Sequence, residues 1–105
     1  MEQLLLEINN LKNNIIEISR VIYQNNTLFS QVPIASFLEK LTVTIDIFAN
    51  TKFYIEYQEV MENLLVDIMN AFESLDEVLF ADLIRHDLIY VLDLIYQRIE
   101  DENVL

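Results

Sequence analysis

No glycine occurs anywhere in the chain, and proline occurs once, at Pro33. Tight hairpins and phosphate-cradling loops draw on glycine for positive backbone angles. Sandwiches, barrels, dinucleotide-binding sheets and P-loops are therefore poor fits. Helices joined by short polar turns need no glycine, so an all-α fold is expected. At 105 residues the chain should form one domain, 1–105, that buries roughly two thirds of its unfolded surface.

Apolar residues recur at helical spacing in four blocks. Leu4, Ile8, Leu11, Ile15, Ile18 and Ile22 alternate steps of four and three, which predicts a helix over 2–24. Asn25-Asn26-Thr27 should close it, since adjacent asparagines favour turns. Ile34, Leu38, Leu41, Ile45 and Phe48 predict a second helix over 33–50, with Pro33 in its first turn after Ser30 or Gln31. Residues 41–48 also alternate with period two and are rich in β-branched side chains, as a strand would be. A lone strand has no visible partner, which favours the helix. Tyr57, Met61, Leu64, Ile68 and Phe72 predict a third helix over 54–73. Ser74 and Glu77 have capping-box spacing. The fourth helix follows over 76–100, with the acidic tail at its end expected to fray. Short joints favour an antiparallel up-down bundle.

The fourth block is the most apolar. Ala81, Ile84, Leu88, Leu92, Ile95 and Ile99 make one stripe, and Leu79, Leu83, Val91 and Leu94 widen it, with Phe80 at the edge. A bundle helix needs an apolar arc of about 100°, and this one exceeds it. Either it is the most buried helix, or its surplus meets another protein. Phe80, Ile84, Tyr90, Val91 and Tyr96 are the interface candidates. Tyr54, Tyr57, Tyr90 and Tyr96 suit a contact surface, or a bundle edge with the hydroxyl in water. Met61 and Met69 fall on or beside a buried face, where filling a core is the commoner role.

The net charge is −12, unevenly placed. Residues 1–55 carry five acids and four bases; residues 56–105 carry thirteen acids and two bases. The second half should repel nucleic acid and anionic lipid and attract cations or basic protein surfaces. Acid also keeps a chain that is 53% hydrophobic in solution. A nucleic-acid mimic would show a dense acidic track, whereas here acids alternate with isoleucine and leucine. The longest run free of charge and histidine, 21–38, is interrupted by asparagine, glutamine and Pro33, so no spanning helix is expected. The acidic start MEQLLLEINN lacks the basic region of a signal peptide. A cytoplasmic location follows as an expectation.

Chemistry has few footholds. The chain has no cysteine, which removes thiolates, disulfides and cysteine-bound zinc. Asp82, His86 and Tyr90 are spaced by four, with Asp93 further along. A carboxylate–imidazole pair one turn apart can share a proton or a cation. A metal there needs further ligands from a facing helix, and Asp67 or Glu59 are the available ones. The E-x-x-H and H-E-x-x-H spacings are absent. Asp82 and Asp87 flank Arg85-His86 as a surface ion cluster would. Asp82 and His86 therefore stand as metal candidates beside that plainer reading. Ser19, Ser30, Ser36 and Ser74 have no histidine nearby in sequence and no glycine elbow. Neither enzyme activity nor a cofactor is expected.

The segment 76–92, D-x-V-L-x-A-D-L-I-x-x-D-L-x-x-x-L, resembles the C-terminal D-x-V-L-L-A-D-L-L-E-Y-E-L-x-P-x-L segment of a small bacterial all-helical family. Residues 37–41, running on to Asn50-Thr51, look similar to that family's second helix. Arg85-His86 stand where the family tends to have Glu-Tyr, and Phe80 replaces a leucine. Tyr90 stands where a proline is common, which suggests a straighter helix. The resemblance implies a compact helical fold and no established activity, so no functional residue carries over. The expected function is protein–protein contact, as an adaptor, a chaperone-like binder or a homo-oligomer, with itself or a partner helix as the other side. The alternatives are a cation-binding protein or enzyme centred on Asp82 and His86, and an acidic nucleic-acid mimic.

Overall fold

The computed structural model describes residues 1–25 and 34–104. The readings placed on Asn26-Thr27, Ser30, Gln31 and Pro33 lie outside them. Among the described residues the chain is an all-α bundle of four helical rods without a strand. Helix α1 is Glu2–Asn25, α2 is Ile34–Ala49 and α3 is Tyr54–Glu73. The last rod, 77–104, runs on without a break through α4 (Glu77–Asp82), a π-helical turn (Leu83–Leu88) and α5 (Ile89–Val104). None of these helices is long and apolar enough to cross a membrane.

All six stripe residues of α1 are at most 1% exposed, as the three-and-four spacing requires. In α2 the buried face is turned slightly from the expected one. Phe37 and Thr44 enter the core, while Leu38 and Ile45 are half-buried. Burying Phe37 removes more apolar area than burying Leu38, and its ring meets Phe80 edge-on with centroids 6.0 Å apart. Residues 41–48 are helical. Their β-branched residues fit because Thr42 and Thr44 donate their hydroxyls to the Leu38 and Lys40 carbonyls at 2.9 and 2.8 Å. The C-terminal rod contributes the stripe Ala81, Ile84, Leu88, Leu92, Ile95 and Ile99 as expected, and adds Phe80 and Val91. Phe80 sits at a junction of rings, 6.0 Å from Phe37 and 6.1 Å from Phe72.

The α3–α4 joint corrects the capping-box reading. Helix α3 ends in a left-handed residue, Leu75 with φ 59°. Asp76 N donates to the Ala71 carbonyl and Leu75 N to the Phe72 carbonyl, at 3.0 and 3.1 Å, which closes the last turn. Ser74 belongs to that ending, its hydroxyl donating to the Ala71 carbonyl. Asp76 is the cap of α4 instead, its carboxylate accepting from Leu79 N at 3.1 Å.

Helix α1 packs against α2 and against the C-terminal rod, and α3 packs against α4 and the π turn. The bundle measures 45 × 23 × 19 Å. The helix runs on to Val104, past the expected end at residue 100. Arg98 and Lys52 both stand over the Phe53 ring, at 4.9 and 5.3 Å. Arg98 pairs with Glu56 and Glu102, and Lys52 with Glu102. The cluster ties the end of the chain to the α2–α3 joint.

Candidate functional site

A π turn, Leu83–Leu88, lies between Asp82 and Tyr90 in the C-terminal rod and contains His86. Its backbone hydrogen bonds span five residues, so each turn takes up more chain than an α turn. The rod has this wide turn at Leu83–Leu88, and Ile84 and Leu88, one step of four across it, are both fully buried.

Asp82, just before that turn, accepts a hydrogen bond from the Tyr23 hydroxyl of α1. Partial burial pushes the Tyr23 phenol up to about 12, and the bond to Asp82 pushes the same way. His86 and Tyr90 instead line a groove against α3, beside Val60, Asn63 and Asp67. Asp82 and His86 are thus divided between two neighbours and do not form the pair that their spacing suggested. No three His, Asp or Glu side chains gather into a cation site among the described residues. Asp93 pairs with Lys12 of α1. Ser19 is buried and donates to the Ile15 carbonyl at 2.8 Å, which leaves no free nucleophile there.

Of the five interface candidates, Phe80, Ile84 and Val91 lie in the core, at 0, 0 and 5% exposed. They satisfy the bundle's own interior and offer no free surface. The wide apolar arc of the last rod mostly covers α1, α2 and α3 together. Tyr96 is half-buried against the core, as are Tyr54 and Tyr57, which pack their rings against Phe48. Tyr90 alone among the five is open, at 64%. Met61 fills the core as expected, and Met69 is exposed.

The arc still leaves apolar surface in water. Leu79 and Leu94 are exposed, at 45 and 41%, and Val60 across the groove on α3 is 47% exposed. The groove floor is Leu64 and Val91. Past Asp67, which borders both, a second recess lies between Ala71 on one side and Leu79 and Leu83 on the other. Asp67 and Asp87 are its charged residues, with the His86 imidazole between the two helices' walls. Neither aspartate has an ion-pair partner among the described residues. The α3 wall was missed in sequence because Val60 falls among Glu56, Glu59 and Glu62. The signal was present: Val60, Asn63, Asp67 and Asn70 step by three and four along one line of α3.

The site is a shallow groove on a four-helix bundle, with an apolar floor and with Asn63, Asp67, His86, Asp87 and Tyr90 along its sides. No protein-family model, curated protein or solved structure matches the chain.

Proposed function

We propose that the protein works by contact with other proteins, through the face formed by α3 and the C-terminal rod. The observation that carries this is the set of solvent-facing apolar side chains Val60, Leu79 and Tyr90 bordering the recesses between α3 and the C-terminal rod, with Leu94 exposed one turn beyond Tyr90. Leaving them in water gains the bundle nothing, and covering them gives an association its driving force. The acids beside them keep the free protein in solution and narrow the choice of partner.

The test is a photo-crosslinking residue placed at Tyr90 and, separately, at Glu39 on the far face of α2, in the host cell. Protein adducts are expected at position 90 and not at 39. An absence of adducts at 90, together with no uptake of an apolar dye by the purified chain, overturns the reading.

A further inference from the structure

We infer that the groove between α3 and the C-terminal rod seats a basic amphipathic helix supplied by a different protein. The inference rests on the contact reading above and names the occupant. Shape comes first. Two recesses that meet at Asp67 follow α3 from Val60 to Ala71, a length of about 16 Å at the α-helical rise. That is three turns of a docked helix, enough for apolar side chains at i, i+3 or i+4, and i+7 to enter them. Leu64 and Val91 form an apolar floor beside Tyr90 in the first recess, and Ala71, Leu79 and Leu83 line the second.

Charge then selects among occupants. Asp67 and Asp87 line the groove with no cation paired to either, and no lysine or arginine lines it. Both lie in the half of the chain that holds thirteen acids and two bases. A second copy seated here would bring two molecules of charge −12 together, with unpaired aspartates on both sides. An anionic membrane is repelled for the same reason. A helix with lysine or arginine flanking its apolar stripe pairs with the aspartates and covers the floor in one step.

The probe is a fluorescein-labelled leucine–lysine helix of about 14 residues, with a leucine–glutamate counterpart, titrated into the full chain by fluorescence anisotropy. Saturable binding is expected for the lysine peptide alone. Asp67→Asn with Asp87→Asn should weaken it about fivefold and flatten its salt dependence. Tyr90→Ala should weaken it at all salt concentrations. Glu39→Gln with Asp46→Asn, which removes the same charge from the exposed face of α2, should leave it unchanged. Circular dichroism confirms that each variant is folded. Equal loss in the two double variants means that only net charge is read, and overturns the inference. So does binding of the glutamate peptide, insensitivity to Tyr90→Ala, or a dimer in sedimentation equilibrium that Tyr90→Ala dissolves. Crosslinks at position 90 without binding of the lysine peptide leave the contact reading standing and remove this one.

Discussion

Leu75 shows what a chain without glycine does when a helix must end sharply. The left-handed conformation at that position is where glycine is usual, and any Cβ there costs about 1–2 kcal/mol. Leucine is tolerated because the turn's two closing hydrogen bonds over-determine it, and its side chain points into water at 72% exposed. Leu75→Gly should therefore raise stability by about 1 kcal/mol, read as a higher urea midpoint at unchanged slope. An unchanged or lower midpoint means that the left-handed residue is not strained. Nothing in the sequence marked Leu75. The joint was legible from the polar cluster 74–77, but the serine there looked like a cap. Only the hydrogen bonds show that the aspartate two residues on takes the role. The same limit applies to Phe37 and Leu38, neighbours on one helix that periodicity alone cannot rank and that ring packing against Phe80 separates.

Among the elements, the C-terminal rod departs furthest from its sequence. Its stripe was readable residue by residue, because Ala81 to Ile99 keep a three-and-four rhythm throughout. The π turn was not. It contains no proline and no glycine, and the steps of four from Ile84 to Leu88 and Leu92 across it also occur in an ordinary α-helical stripe. Asp82 and His86 were paired on spacing alone, whereas Asp82 bonds Tyr23 of α1 and His86 lines the groove against α3. The far end of the rod also runs past its expected end, tied by the cluster of Lys52, Phe53, Glu56, Arg98 and Glu102. The Glu102 carboxyl lies below the usual carboxylate range, first because it accepts from Lys52 and then because it accepts from Arg98. Its folded pKa is thus depressed. The stabilisation is present above the ordinary carboxylate value and is lost as pH falls through the lowered one. Hydrogen-exchange protection over 100–104 should drop in mild acid ahead of the rest of the bundle, and Glu102→Gln should reproduce the drop at neutral pH. Protection that falls evenly along the rod under both conditions counts against the cluster as the anchor.

For the molecule as a whole, the long-range polar ties sit on opposite faces of the C-terminal rod. Tyr23–Asp82 and Lys12–Asp93 hold it to α1, and Arg98–Glu56 holds it to the start of α3. The first of these gives the bundle an alkaline limit. Tyr23 ionises near 12 in the fold and near 10 in the unfolded chain. The raised value means that the fold prefers the neutral phenol. Its contribution is intact below the unfolded pKa and disappears as pH rises from one value to the other. Global stability should fall over that interval. Titration of phenolate absorbance should show a tyrosine ionising near 12, which Asp82→Asn brings only part of the way back because burial is the larger cause. A titration curve that Asp82→Asn leaves unchanged rules out the tie.

The bundle's proportions carry a consequence of another kind. A body 45 Å long and about half as wide tumbles end over end more slowly than it spins about its length. In an α-helix the amide N–H bonds run nearly along the axis, and here four rods share roughly one direction. Spinning about that direction leaves those bonds almost stationary, so their nuclear relaxation reports the slow tumbling almost alone.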